Sequence, residues 1–302
     1  MDLIEQNLIS CNLCPNMCGV NRINGEIGIC NANYLPKVSK ACLHFWEEPC
    51  ISGEAGSVTV FFSHCNLSCI YCQNYKISHE GFGKEVNLEK LSDIFLNLQN
   101  KGALNINLVS ATQFIPQVAE ALKISKKKGL SIPIVYNSNA YETVEAINLL
   151  DGLIDVYLPD LKYFDNKYSI EYSSAHDYFQ YATKAIIEMY RQVGIPVYND
   201  DGIIQKGLII RHLLLPSLVE DSKNVLKWIK NNLPIEIPIS IMAQYTPVYK
   251  ANTIGSINRK ITEKEYDRII DYFFELGLEN GFVQDHDSAT SNYTPDFDLT
   301  GI

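Results

Sequence analysis

Cysteine is absent from most of this chain. All nine cysteines lie between residues 11 and 72, and none follows in the rest of the 302 residues. Cysteines buried for structural reasons would be scattered through the core, and thiols in a cytoplasmic protein stay reduced instead of forming disulfides. The clustering therefore indicates bound metal in the first quarter of the chain.

Basic residues and long apolar runs are also scarce. The 25 Lys and Arg against 35 Asp and Glu give a formal net charge of −10, which argues against a nucleic-acid partner. The longest apolar stretch, residues 207–219, is interrupted by Arg211 and Pro216 and is too short to cross a bilayer. Asp2 and Glu5 stand where a secretion signal would be basic. We expect a cytoplasmic protein with no membrane segment.

From residue 57 onward, short β-branched runs alternate with amphipathic stretches. The runs predict strands over residues 57–62, 105–109, 132–136, 154–158, 208–215 and 237–243. The amphipathic stretches predict helices over residues 88–101, 114–128, 143–150, 178–193, 221–232 and 262–276. This alternation indicates βαβ units around a parallel sheet. Six strands are too few for a closed eight-stranded barrel, so we expect an α/β fold with an open, partial (β/α)6 barrel of the TIM type. Its active site should lie at the carboxyl ends of the strands.

Composition divides the chain into three regions. Residues 1–55 have few apolar residues at a regular period and carry glycines among the cysteines. Such a segment has too few apolar residues to fold on its core alone, so we expect a Cys-rich, metal-binding extension there. The barrel is expected over residues 56–283, followed by a polar C-terminal tail over residues 284–302.

The most informative segment is the loop 64–74, which carries Cys65, Cys69 and Cys72 directly after the first predicted barrel strand. Three thiolates can ligate three irons of a [4Fe-4S] cluster, and no fourth cysteine is near to close the fourth iron. A catalytic cluster needs such a vacancy, as a catalytic zinc does. A zinc site completed by His64 or His79 is the alternative.

The spacing Cys-x-x-x-Cys-x-aromatic-Cys after a strand resembles the signature of the radical S-adenosylmethionine (SAM) superfamily. Residues 72–89, 158–162 (Leu-Pro-Asp-Leu-Lys) and 210–216 (Ile-Arg-His-Leu-Leu-Leu-Pro) are similar to pyruvate formate-lyase activating enzyme and related uncharacterised activase-like proteins. The resemblance implies that the open iron binds SAM and that one electron cleaves SAM to methionine and a 5′-deoxyadenosyl radical. That radical then abstracts a hydrogen atom from the substrate.

The resemblance also implies a set of cofactor-binding side chains at the barrel mouth, while it leaves the catalytic residue unknown. The expected SAM contacts are Tyr71, Asn137, Ser138, Asp160, Lys162 and Arg211. Tyr71 should pack near the adenine, and Arg211 should lie near the SAM carboxylate. Asp160 and Lys162 are two residues apart at the end of a strand, so they should share a face, although a surface ion pair would also explain them. Asn137 and Ser138 are equally ordinary loop residues.

A second constellation comprises Cys11, Cys14, Cys18 and Cys30. Four ligands make a complete first shell, so this site could hold structural zinc or an auxiliary iron–sulfur cluster. Cys42 and Cys50 have no partners at ligand spacing and are expected to be buried thiols.

These features give three hypotheses from different classes. The first is an anaerobic, activase-like radical SAM oxidoreductase that installs a glycyl radical on a protein or peptide partner and takes electrons from reduced flavodoxin or ferredoxin. The second is radical SAM modification of a peptide or small metabolite, with an auxiliary N-terminal cluster. The third, a non-enzymatic metal module, leaves the barrel and the open cluster without a purpose.

Overall fold

Strands and helices alternate along the chain in the computed structural model, which describes residues 2–54, 56–284 and 295–302. Within these residues the strands are β1 (Lys37–His44), β2 (Ser57–Phe62), β3 (Lys84–Glu85), β4 (Ile106–Val109), β5 (Ile134–Ser138), β6 (Val156–Pro159), β7 (Val197–Tyr198), β8 (Ile204–Leu208), β9 (Ile210–Leu213), β10 (Ile239–Met242) and β11 (Gly281–Val283). The α-helices are α1 (Leu3–Leu8), α2 (Pro49–Ser52), α3 (Tyr75–Ser78), α4 (Leu88–Asn100), α5 (Ile115–Lys127), α6 (Val144–Asn148), α7 (Asn166–Ser173), α8 (Tyr178–Val193), α9 (Val219–Asn232) and α10 (Glu263–Glu275). Short 3-10 helices cover Arg22–Asn24, Thr112–Phe114 and Ala251–Thr253.

Parallel strands form the centre of the fold. β2, β4, β5, β6 and β8 pair in that order and are parallel throughout, and β9, β10 and β11 form a second parallel sheet. A bridge between Asp160 and Arg211 and the bond from Leu161 N–H to Arg211 C=O, 2.8 Å, join the two sheets beside β6 and β9. The wall therefore continues from β2 to β10, and the predicted open, partial α/β barrel is confirmed.

The barrel strands are buried on both faces. Every residue of β2, β4, β5, β6 and β10 is buried, as expected of parallel strands covered by helices. Helix α4 shows how the covering elements form. The Asn87 side chain caps its first turn by accepting from Lys90 N–H, and its buried residues Leu91, Ile94, Phe95 and Leu98 recur at helical spacing.

The N-terminal residues join this barrel. β1 pairs antiparallel with β2, with Ala41 opposite Val60, and it extends the main sheet beyond the parallel strands. Ile4, Leu8 and Leu13 are buried in the same hydrophobic cluster as the barrel residues. The sequence had not predicted β1, and the boundary at residue 55 stays a prediction about folding units.

The strand predicted over residues 208–215 and the predicted tail also differ from the expected pattern. The strand predicted over residues 208–215 begins earlier, as β8, and is broken between Leu208 and Ile210. Gly207 has φ +130°, and a Cβ there would lie 2.5 Å from Pro196 Cα, so glycine permits the hairpin of β7 and β8 to close. Residues 285–294 of the predicted tail lie outside the described residues, whereas Thr300 C=O accepts from Ala41 N–H at 2.9 Å.

Candidate active site

The cysteine loop leaves the end of β2 in a sharp turn. His64 adopts φ +71° and donates its N–H to Ile77 C=O at 2.8 Å. Gly81, also at positive φ, faces the His64 ring so closely that a Cβ would approach it to 2.6 Å. Gln113 donates from Nε2 to the carbonyls of Ser63 and His64, at 2.9 and 3.1 Å. The backbone turn at His64 and the hydrogen bonds from Gln113 therefore fix the start of the loop that carries the three thiols.

Each of the three loop thiols has a hydrogen-bond partner. Asn139 Nδ2 donates to Cys65 Sγ at 3.4 Å, and Ser173 Oγ donates to Cys69 Sγ at 3.0 Å. Cys72 Sγ lies 3.2 Å from Ser78 Oγ. Groups at these distances can donate hydrogen bonds to thiolate sulfurs, as the groups around metal-bound ligands do. None of the three partners was singled out from the sequence as a neighbour of a thiol.

The loop thiols lie close enough to influence one another electrostatically. Burial and then the nearby Cys69 thiolate raise the pKa of Cys65 well above its ordinary value. The same two causes, in the same order, raise the pKa of Cys72 to about 11. Three buried, neighbouring thiols can ionise together only beside a compensating positive charge. Iron supplies that charge when it binds.

A cavity of about 320 Å³ opens beside the three cysteines at the carboxyl ends of the strands. Its size lies in the range of small-molecule sites. It is lined by all nine residues expected there from the resemblance, namely Cys65, Cys69, Tyr71, Cys72, Asn137, Ser138, Asp160, Lys162 and Arg211. Asn137 and Ser138 end β5 instead of following it, and both are buried. Tyr71 is 6% exposed, and its hydroxyl lies 2.5 Å from that of Tyr163.

Asp160 and Lys162 form an ion pair inside the cavity wall. Lys162 Nζ lies 2.5 Å from Asp160 Oδ2, and the two side chains are only 13% and 20% exposed. Burial acts to lower the pKa of Lys162, but the charges of Asp160 and Cys69 outweigh it and the pKa is raised. The ammonium therefore stays protonated and faces the thiol cluster as well as its carboxylate partner.

Arg211 is held by two carboxylates that sequence reasoning missed. Its Nε and Nη2 donate to Glu48 at 2.7 and 2.6 Å, and Nη2 also contacts Glu47. Both glutamates belong to the segment between β1 and α2 and line the cavity. Arg211 lines the cavity, and its position near the SAM carboxylate stays a prediction. His212 points away from the cavity and bonds to Leu161 C=O and Ser222 Oγ.

The N-terminal cysteines form a second group of neighbouring thiols. Burial, followed in part by the charges of Cys30, Cys11 and Cys18, raises the pKa of Cys14 to about 12. Ile29 N–H donates to Cys18 Sγ at 3.4 Å, and a Cβ on Gly28 would lie only 2.9 Å from that sulfur. Cys42 is half-buried and Cys50 is buried.

The two cysteine loops are in direct contact. Asn16, between Cys14 and Cys18, donates from Nδ2 to Asn66 C=O at 2.8 Å, and Asn66 follows Cys65. Asn66 in turn accepts from Asn139 Nδ2 at 2.8 Å. A continuous set of hydrogen bonds therefore links the N-terminal group to the loop at the cavity.

The comparison with known families decides what kind of site this is. The sequence model of the radical SAM superfamily matches residues 59–229, more than half of the chain. The chain belongs to the radical SAM superfamily. It is therefore an enzyme of the class that uses a [4Fe-4S] cluster and SAM, as the cysteine spacing predicted. Uncharacterized protein MJ0674 of Methanocaldococcus jannaschii is 30% identical over 285 residues, which cover 91% of this chain and 78% of that protein.

Solved structures of other radical SAM proteins resemble this one. Streptococcus suis SuiB bound to S-adenosylmethionine matches with a TM-score of 0.49 and 16% identity, covering 73% of this chain and 48% of SuiB. A domain of pyruvate-formate lyase-activating enzyme from Bacteroides vulgatus matches with a TM-score of 0.41 and 14% identity, covering 57% of this chain and 91% of that domain. The chain thus spans about half the length of SuiB.

The donor sets fit the cofactors of a radical SAM enzyme. Cys65, Cys69 and Cys72 supply three thiols beside a cavity of ligand size, which suits a cluster with one iron open to SAM. No three His, Cys, Asp or Glu side chains in the described part of the chain are close enough to hold a single metal ion. The fit to a cluster therefore rests on the three thiol donors and on their position beside the cavity.

No helix among the described residues is both long and apolar enough to cross a membrane.

Proposed function

We propose that this radical SAM enzyme binds its cluster through Cys65, Cys69 and Cys72 and abstracts a hydrogen atom from a polypeptide, as a glycyl-radical activating enzyme does. The observation that carries the proposal is the cavity that joins these three thiols to the charged wall of Asp160 and Lys162. In the proposed complex this pair holds the polar groups of SAM or of the substrate, and burial strengthens such charge-assisted contacts.

Cys65, Cys69 and Cys72 would hold the [4Fe-4S] cluster, which when bound would supply the one electron needed to cleave the S–C5′ bond of SAM into methionine and a 5′-deoxyadenosyl radical. In the proposed reaction that radical would take a hydrogen atom from a glycine Cα–H to give 5′-deoxyadenosine, which would leave the unpaired electron on the glycine. The residues of this chain bind and orient the reactants. Asn137 and Ser138, at the end of β5, line the cavity together with Tyr71.

A polypeptide substrate is supported by the shape and chemistry of the cavity mouth. Among the described residues no strand pairing joins β11 to β3, so the sheet is open between these two strands. Phe45 and Trp46 are 52% and 60% exposed, and Trp46 lines the cavity. Aromatic side chains of this kind are enriched where proteins bind other proteins. The net charge of −10 acts against phosphate-rich substrates at long range.

SAM cleavage is tested with the anaerobically reconstituted protein. We expect 5′-deoxyadenosine, measured by chromatography, when SAM and dithionite are added, and none when Cys65, Cys69 and Cys72 are all replaced by Ala. Cys42→Ala is the matched control, because it removes a half-buried thiol from β1 without touching the loop. Equal product from the triple variant and from Cys42→Ala would rule out the proposed ligands.

The substrate is tested with candidate partner polypeptides. Reduced enzyme, SAM and a glycyl-radical enzyme should give a glycine-centred doublet in electron paramagnetic resonance (EPR) spectra, and deuterium on that glycine should pass into 5′-deoxyadenosine. Reduced flavodoxin or ferredoxin should replace dithionite as the electron source. Deuterium transfer from small metabolites and from no polypeptide would refute the activase proposal and favour the metabolite alternative.

A second candidate function includes the N-terminal cysteines, and the contact between Asn16 and Asn66 favours it. In this alternative Cys11, Cys14, Cys18 and Cys30 hold an auxiliary iron–sulfur cluster that passes electrons to the cluster in the cavity during modification of a peptide or metabolite. Metal analysis of the Cys65, Cys69 and Cys72 triple variant is the test. Residual iron and sulfide would support a relay, one zinc per chain would make the site structural, and neither metal would refute a metal site.

A further inference from the structure

Two buried tyrosines and a serine form a hydrogen-bond chain that ends on one of the loop thiols. The Tyr71 hydroxyl lies 2.5 Å from the Tyr163 hydroxyl, which lies 2.7 Å from Ser173 Oγ. Ser173 then donates to Cys69 Sγ at 3.0 Å. Tyr163 and Ser173 are fully buried, and Tyr71 nearly so, so water does not compete for these bonds.

Proton counting fixes the direction of every bond in this chain. A thiolate bound to iron has no proton, so Ser173 must donate to Cys69. A hydroxyl has one proton, and that of Ser173 is then used, so Tyr163 must donate to Ser173. By the same reasoning Tyr71 donates to Tyr163. All three hydroxyl dipoles therefore point their positive ends toward Cys69, and each strengthens the next.

The backbone holds Ser173 in register with the cysteine loop. Ser68 N–H donates to Ser173 C=O at 3.0 Å, and Ile70 N–H donates to Tyr172 C=O at 2.9 Å. Cys69 lies between the two donors, and Ser173 is the last residue of α7. The Ser173 hydroxyl is thus fixed against the sulfur from both sides of Cys69. The donors at Cys65 and Cys72 lie farther away, at 3.4 and 3.2 Å.

We propose that Tyr71, Tyr163 and Ser173 raise the reduction potential of the cavity cluster and so act as positioning residues for its one-electron reduction. The inference rests on the proposed ligation of that cluster by the three loop cysteines. Hydrogen bonds to ligand sulfurs draw electron density from the cluster and stabilise its reduced form, which carries one more negative charge. In this assignment α7, which the sequence did not predict, controls how easily the enzyme accepts its electron.

The test is a redox titration of the reconstituted full chain, followed by EPR spectra of the reduced cluster. In Ser173→Ala the equilibrium constant for reduction should fall several-fold, up to about tenfold, and a tenfold fall corresponds to a potential 59 mV lower. Tyr163→Phe should shift the potential in the same direction by less, because Ser173 still donates. Ser169→Ala is the matched control, since it removes another buried hydroxyl of α7 that bonds to Ala175 C=O and not to a thiol. It should leave the potential unchanged.

Iron content separates this inference from the function on which it rests. A wild-type chain that binds no cluster on Cys65, Cys69 and Cys72 refutes the proposed ligation before any titration. With full iron content, an unchanged potential in Ser173→Ala overturns the inference, and so does an equal shift in Ser169→Ala. If the Ser173→Ala variant loses its cluster, the Tyr163→Phe variant provides the test. A lower reduction potential of its cluster than in the wild type supports the inference, and an unchanged potential overturns it.

Discussion

Replacing Glu48 by Gln should destabilise the protein, because it breaks the buried ion pair with Arg211. The Glu48 side chain is 3% exposed and that of Arg211 is 11% exposed, and two hydrogen bonds of 2.6 and 2.7 Å join them. Removing one partner of a buried pair costs about 3–5 kcal/mol. Gln keeps one carbonyl acceptor and Glu47 still faces the guanidinium, so we expect a loss of about 2–3 kcal/mol for Glu48→Gln.

Urea unfolding followed by circular dichroism measures this loss, with Glu54→Gln as the matched control at an exposed position. For an m-value of about 2–3 kcal/mol/M, the midpoint of Glu48→Gln should fall by about 1 M. Burial would raise the pKa of Glu48, but Arg211 outweighs it and the pKa is lowered from 4.5. The stabilisation is therefore complete above pH 4.5 and is lost as pH falls through the folded-state pKa. Equal midpoints for the two variants at neutral pH would refute this account of the pair.

Three further predictions concern the cavity and the proposed N-terminal metal site. Asp160→Asn and Lys162→Met should lower SAM affinity or 5′-deoxyadenosine formation at least tenfold, while the unfolding free energy changes by about 1 kcal/mol; unchanged turnover in both would make the pair purely structural. Gly28→Ala should reduce metal binding by the N-terminal cysteines, since its Cβ would lie 2.9 Å from Cys18 Sγ, whereas Gly255→Ala faces open space and should bind metal normally. Exposure to air should bleach the visible absorption of the wild-type cluster, because the proposed ligation leaves one iron without a protein ligand; an air-stable spectrum would contradict the open site.

The barrel and the cysteine loop could be predicted because their signals are local in the sequence. The β-branched run at residues 57–62 and the amphipathic stretch at 178–193 gave the bounds of β2 and α8 as observed. Cysteine spacing indicates a candidate ligand set within eight residues, and polar residues at strand ends meet at one edge of a parallel sheet. Each of these inferences needs only the sequence of a short segment and a general rule about how such segments fold or bind metal.

The contacts that complete the site depend on residues far apart in the chain. Arg211 and Glu47 are separated by 164 positions, and Ser173 and Cys69 by 104. Neither Glu47 nor Ser173 stands in a pattern that marks it as functional, so only the folded chain brings these pairs together. β1 was missed for the same reason, because its mixed sequence is buried by pairing with β2 and not by a regular apolar period of its own.

The burial of N-terminal residues in the barrel core predicts that the two parts unfold together. Leu8 is fully buried within the hydrophobic cluster that includes barrel residues, while its neighbour Ile9 is 47% exposed. Leu→Ala at a buried site costs about 2–5 kcal/mol, and most of that loss should appear as a lower urea midpoint for the whole chain. Ile9→Ala is the matched control and should leave the midpoint nearly unchanged.

The two tryptophans make this prediction decisive. Trp46 lies between β1 and α2, Trp228 lies in α9, and the chain has no other tryptophan. In a Trp46→Phe background, fluorescence during urea unfolding reports only from the barrel helix. If the N-terminal residues belong to the barrel's folding unit, Leu8→Ala shifts the Trp228 transition as far as it shifts the circular dichroism of the whole chain. A Trp228 transition that stays in place while part of the circular dichroism is lost at lower urea would show instead that residues 1–55 unfold as a separate unit.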